Sequence, residues 1–298
     1  MRRELSVVKS YYQMFCIARA ALLGAFGWGS SCVAFGLISY QAPMDATTWN
    51  VEQSPLECRI WQPVPGYGDA VFSKRSGEAL EFFLESLQPA WRSGTANLFV
   101  APPAWQSGLS TFSLGTVKSV TGKRPVTVGE GVALRFIREL EQGKVPTVQT
   151  SGELATRVGV SAVNFGGAYQ SYQNCVGAMF PANYEQLKAS VLHYASEQWK
   201  PDGKAQARLD LIAGYQKLDA GIRKIFVDGH SDTMGRLGHN WEVSRLRANA
   251  VREYLIAKGV PEEMIVMRYW GKSRPIDKRG NRKSSPANRR VVVQMVKA

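Results

Sequence analysis

The feature that most limits the fold is a change of texture near Pro181–Leu187. Between Thr48 and Val160 the chain is a string of short apolar or alternating runs, among them ECRIWQPV, EFFLES and TANLFVA. Gly- and Pro-rich punctuation such as PVPGYGD and APPAWQSG separates them. Runs of that length and period are strands joined by turns, so residues 35–187 are expected to form a mostly antiparallel β domain, a sandwich or partly open barrel. One helix interrupts it over Gly131–Gln142, where Val132, Phe136 and Leu140 recur with Ala133 and Ile137 at helical spacing and Gly143 follows as a stop. A second, through Tyr169–Phe180, holds Cys175. Beyond the change, strands alternate with longer helical patterns: ASVLHY, Lys204–Leu218, KIFVDG, Trp241–Lys258, MIVMRYWG and RRVVVQM. The order β-α-β-α-β-β over residues 188–298 describes an α/β sandwich with helices on one face of a small sheet, and the chain as a whole is α+β.

The first forty residues bear on compartment. Arg2, Arg3, Lys9 and Arg19 form a basic lead, and Ala20–Tyr40 contains no charged residue. That is the pattern of an export signal, with Cys32 and Ala34 as the small residues before a cleavage site, so residues 1–34 read as a signal peptide and the remainder as periplasmic. An uncleaved membrane anchor is the alternative; Gly24, Gly27, Gly29, Gly36, Ser30 and Ser31 make the segment weakly hydrophobic for that role. Without residues 1–34 two cysteines remain, Cys58 and Cys175. An oxidising compartment invites one disulfide between them, with two buried free thiols as the alternative.

A formal charge of +13 falls only to +10 when the signal is removed. In a cytosolic chain such charge would suggest nucleic acid, and Lys272, Arg274, Lys278, Arg279, Arg282, Lys283, Arg289 and Arg290 crowd one loop. No aromatic platform or recognition helix accompanies them, so nucleic acid is set aside in favour of a solvated loop near an anionic polymer or partner.

A sharper signal lies in the helix after GHSDTMGRLGHN. Val243, Leu246, Ala250, Val251, Tyr254 and Leu255 trace an apolar stripe, and Arg247 falls on that same stripe, four residues from Val243 and from Val251. A guanidinium there needs an anionic partner or a route to water. Asp232, at the end of the strand KIFVDG, is the nearest candidate in sequence. An Asp beside an Arg at a strand end suits a zwitterion, the carboxylate taking an ammonium and the guanidinium a carboxylate. Spacing alone leaves a structural ion pair equally open. His230, Asp232 and His239 could be read as metal ligands, but no second cluster supports them, and no nucleophile–base motif appears. No metal, cofactor or enzymatic activity is expected.

At these residues the chain resembles a known family. GHSDTMG, Asn240, SRLRANAVREYL, KGVPEEMI, WGKSRP and NRRVVV, in that order, are similar to the peptidoglycan-binding domain of OmpA-like and Pal-like envelope proteins. The resemblance implies that Asp232 and Arg247 bind the zwitterionic end of diaminopimelate, with Asn240 and Arg290 lining or bracing the pocket. Ser231 stands in place of the usual Thr, and Tyr269 where the family often has Gly. The first half, through PLECRIWQPVPGYGDAVFSKR, APPAWQSG, GVALRFIRELEQGKVPT and QNCVGAMF, resembles the N-terminal domain of the MotY family, periplasmic T-ring proteins of polar flagellar motors. That resemblance implies a Cys58–Cys175 disulfide, docking to the basal body and a MotX-like ring protein, and a fixed mount for stator units. A stator subunit of the MotB type is a rival, but its membrane segment needs an ion-binding acid and Ala20–Tyr40 has none. A general envelope tether is the other rival, and PVPGYGDAVF argues against it.

Overall fold

The computed structural model describes residues 36–90, 93–103, 105–106, 110–151, 154–278 and 284–297. The signal peptide expected over 1–34 lies outside them, as do Arg279, Arg282 and Lys283 of the basic loop. No described helix is long and apolar enough to cross a membrane. The protein forms two compact units. Of the described residues, one takes those from 36 to 51 with those of Arg59–Ser73 and Leu80–Ser171; the other takes Glu52–Cys58, Lys74–Ala79 and those from Tyr172 onward.

Wholly or in part in the first unit are the strands β1 (Gly36–Gln41), β2 (Asn50–Gln53), β3 (Glu57–Val64), β4 (Gly68–Arg75), β5 (Glu81–Ser86), β6 (Gly94–Ala101), β7 (Phe112–Ser119), β8 (Val126–Val128), β9 (Val145–Thr150) and β10 (Leu154–Gly159). They build two open five-stranded sheets, β1-β10-β9-β6-β7 and β2-β3-β4-β5-β8. Strands β10 and β9, β9 and β6, β6 and β7, β4 and β5, and β5 and β8 pair antiparallel, whereas β1 lies parallel to β10. Helix α1 (Glu130–Glu141) buries Ala133, Phe136, Ile137 and Leu140 and packs on β5 and β9. Phe136 meets Phe82 at 5.1 Å between ring centroids, and Phe82 meets Phe72 at 4.8 Å, so edge-to-face and tilted aromatics form the centre of this core.

Helix α2 (Phe165–Ala178) leads to the short α3 (Tyr184–Leu187) and then to the second unit's sheet. There β11 (Ala189–His193), α4 (Gly203–Leu218), β12 (Ile222–Gly229), α5 (Leu237–Ala257), β13 (Ile265–Tyr269) and β14 (Arg290–Lys297) follow the β-α-β-α-β-β order, and the sheet runs β11-β14-β12-β13. Strand β12 is parallel to β13 and antiparallel to β14. Leu209, Ile212, Ala213, Ala248, Val251 and Leu255 from the helices meet the buried side of the sheet. Asp202 caps α4 by accepting the Ala205 N–H at 2.8 Å. Helix α5 begins four residues before the expected start at Trp241 and stops where Gly259 takes φ +87°. The Val260 and Gly259 amides then close on the Leu255 and Ile256 carbonyls, satisfying the last turn.

Three further stretches complete this unit. Cys58 and Cys175 form a disulfide with 6.0 Å between Cα atoms. Ser76 places its hydroxyl between the carbonyls of Phe180 and Ala182. The Phe180 amide donates to Pro55 at 2.9 Å, and Leu56, Phe180 and Tyr184 pack against the core.

Candidate functional site

The site begins with a close approach. Gly229 ends β12 where a Cβ would stand 2.1 Å from the Ser244 carbonyl oxygen, so only glycine lets this strand press against α5. One turn along α5 from Ser244 is Arg247. The chain beyond Gly229 is held by main-chain bonds on both sides: His230 N–H donates to the Arg290 carbonyl at 2.9 Å and Ser231 N–H to the Gly271 carbonyl at 3.0 Å. Asp232 therefore projects from a fixed turn.

Its carboxylate is densely supplied with donors. Oδ1 accepts the Thr233 amide at 2.7 Å and the Ser285 amide at 3.1 Å; Oδ2 accepts the Ser284 hydroxyl and, at 2.9 Å, Arg289 Nη1. Burial works to raise the Asp232 pKa, but the bonds from Ser284, Ser285, Thr233 and Arg289 outweigh it and hold the carboxyl below the usual range. Arg247 takes other partners. The largest fully buried side chain among the described residues, it donates Nε to the Gln198 carbonyl at 2.8 Å, Nη1 to His230 at 3.0 Å and Nη2 to Ala195 at 3.2 Å. Its guanidinium lies 5.2 Å from the centroid of the Tyr194 ring. Burial brings its pKa down to about 10, still cationic at neutral pH. The two residues thus share one turn and one field through the His230 carbonyl without forming an ion pair with each other.

Asn240 and Arg290 fasten the walls. Buried Asn240 donates Nδ2 to the Met234 carbonyl at 2.6 Å and the Arg236 carbonyl at 3.2 Å, tying the loop to the first turn of α5. Arg290 is buried, which lowers its pKa, and it reaches the Arg274 carbonyl at 3.1 Å. On the loop opposite Asp232, fully buried Asn288 accepts the Ile276 and Asp277 amides and donates to the Asp277 carbonyl.

Two residues absent from the sequence reading of the site stand at its centre. Arg289, not its neighbour, is the cation on Asp232, and it also donates to Ser284 Oγ at 2.7 Å and to the Tyr194 carbonyl at 3.2 Å. Tyr194 joins both arginines, its carbonyl on Arg289 and its ring under Arg247. In the sequence Arg289 is visible only as one of the crowded basic residues of the loop, adjacent to Arg290. Two buried polar atoms, Tyr194 Oη and His230 Nδ1, have no hydrogen-bond partner among the described residues. Burial, with Arg290 and Arg274 nearby, pushes His230 down to about 4 against the opposing pull of Asp228. His239 meets Glu197 at 3.1 Å, and no group of three metal-ligating side chains occurs among the described residues.

Residues 40–181 match the model of the MotY N-terminal domain, and residues 198–289 match that of the OmpA family. The chain joins a MotY N-terminal domain to an OmpA domain. The sodium-type flagellar protein MotY of Vibrio parahaemolyticus is 28% identical over 263 residues, 86% of this chain and 89% of that protein. Outer membrane protein A of Klebsiella pneumoniae is 29% identical over 171 residues, 52% of this chain and 49% of the relative. Among solved structures, the peptidoglycan-associated lipoprotein from Burkholderia pseudomallei aligns at 24% identity with a TM-score of 0.33, covering 36% of this chain and 89% of that one. The OmpA match takes in Asp232, Asn240, Arg247 and Arg289 and ends one residue before Arg290; the MotY match contains both disulfide cysteines.

Proposed function

We propose that this chain is a non-enzymatic, periplasmic component of a flagellar motor that binds peptidoglycan through its C-terminal unit. The observation that carries the reading is the domain pair itself: a MotY N-terminal domain followed by an OmpA domain in one chain, 86% of which aligns with a sodium-type flagellar protein. In this reading residues 1–34 direct export and residues 35–187 dock onto the basal body beside a MotX-like partner in the T ring. Residues 188–298 hold the wall and give stator units a fixed mount. Asp232 receives the ammonium of diaminopimelate and Arg247 its carboxylate, while Asn240 and Arg290 keep the turn and the opposite loop in place. The support is chemical: an ionised carboxylate and a charged guanidinium converge on one rigid turn.

Two experiments test this. A deletion strain is expected to assemble flagella but not swim; normal swimming sinks the motor assignment. Asp232→Asn is expected to lose co-sedimentation with purified sacculi while still melting cooperatively, at a temperature lowered by the loss of the Arg289 ion pair. Sacculus binding equal to that of the unaltered protein removes Asp232 from the site.

A further inference from the structure

Asp232, as the turn presents it, is already occupied. Arg289 holds Oδ2 at 2.9 Å, and both side chains are only 13% exposed. A ligand ammonium that takes Asp232 therefore displaces a largely buried guanidinium, and a displaced guanidinium in such a place must find another anion. Arg247 cannot supply one. It is itself a cation whose donors rest on the carbonyls of Ala195, Gln198 and His230, and Arg289 lies close enough to disfavour its charge. Tyr194 keeps the two arginines together, through its carbonyl and its ring, so Arg289 cannot leave the site without breaking that bond. Counted together, one carboxylate and two guanidiniums leave the site with an excess of one positive charge. Its complement is a ligand carrying one ammonium and two carboxylates.

We propose that Arg289 is a third, exchangeable member of the site: on binding it passes from Asp232 to a second carboxylate of the ligand, so that the site selects an amino-dicarboxylate end over a simple zwitterion. This rests on the wall-binding reading and sharpens it. Within a peptidoglycan stem, the ligand is one whose diaminopimelate keeps both its carboxylates free beside its one free ammonium. A stem in which one carboxylate is blocked as an amide still offers the zwitterion to Asp232 and Arg247. It leaves Arg289 without a partner.

The test uses two soluble probes: a stem tripeptide ending in meso-diaminopimelate, and the same tripeptide with the carboxyl of the backbone-linked centre amidated. Isothermal titration of the purified chain is expected to favour the free acid by about 10- to 100-fold, the range of one charge-assisted hydrogen bond. In Arg289→Gln the ratio is expected to fall near one, and in Arg289→Lys to stay above one because the charge remains. A ratio in Arg289→Gln equal to that of the unaltered chain overturns the proposal, as does loss of both probes with an unchanged melting curve. Equal affinity of the unaltered chain for both probes also overturns it while leaving the wall reading intact. Failure of the unaltered chain to bind either probe defeats the wall reading itself.

Discussion

Acid is expected to loosen the second unit through one residue, His230. Its imidazole is 5% exposed, its Nδ1 has no partner, and burial together with the charges of Arg290 and Arg274 takes its pKa from 6.5 to about 4. The folded value lies below the unfolded one, so as pH falls the unfolded chain binds the proton first. The stability contributed by neutral His230 is therefore complete above about pH 6.5 and is lost as pH falls through about 4. At roughly 1.4 kcal/mol per pH unit the whole loss is about 3 kcal/mol, of which about 2 kcal/mol is gone by pH 5. Asp232 acts in a lower window: its pKa is depressed, so its contribution persists until the pH drops below the ordinary carboxylate value. Urea unfolding followed by circular dichroism at pH 7 and pH 5, on the unaltered protein and on His230→Gln, isolates the histidine. The pH-dependent loss is expected to shrink by about 2 kcal/mol in the variant. The chain has only three histidines, so an NMR titration resolves His230 from the exposed His193 and His239. A midpoint near 6.5 for His230, or an equal pH-dependent loss in His230→Gln, refutes the reasoning.

Further outcomes follow from the same contacts. Gly229→Ala drives a Cβ into the Ser244 carbonyl and is expected to cost about 3 kcal/mol, read as a lower melting temperature of the second unit; an unchanged melt means that β12 and α5 do not approach so closely. Arg247→Met leaves the Ala195, Gln198 and His230 carbonyls without their donor and is expected to cost about 3 kcal/mol, read as a lower melting temperature of the second unit; an unchanged melt contradicts it. Replacing Cys58 and Cys175 together by Ser opens a loop with a sequence separation of 117 and is expected to cost at most about 5 kcal/mol in the chain-entropy view; denaturation curves that coincide with those of the oxidised protein contradict it.

Element types were largely legible because hydrophobic period and length agree in most segments. ECRIWQPV and EFFLES match β3 and β5 residue for residue, and the order of the second unit follows from its alternating strands and helices. Two edge strands were not legible. Gly36–Gln41 is apolar and uncharged and reads as the tail of an export segment, while Phe112–Ser119 is exposed along most of its length and broken by Gly115 at φ +106°. Both depend on a neighbouring strand rather than on their own pattern. At the site, helical spacing correctly placed Arg247 on the buried face but could not name its partners, because main-chain carbonyls leave no mark in a sequence. Arg289 was hidden differently: it stands one residue from an arginine singled out for the site, and only the fold shows which of the two meets Asp232.

Glu52–Cys58 and Lys74–Ala79 come early in the chain, yet pack with residues that follow Tyr172. The second unit is consequently not a bead that a single genetic crossover can exchange. A graft made near residue 187 would strip Ala182 and Leu187 from its core, together with the Leu56 and Phe180 side chains that cover it. The disulfide would be left holding two segments with nothing to seat against. A chimera that keeps the second unit whole crosses between the units at five points in the chain rather than one.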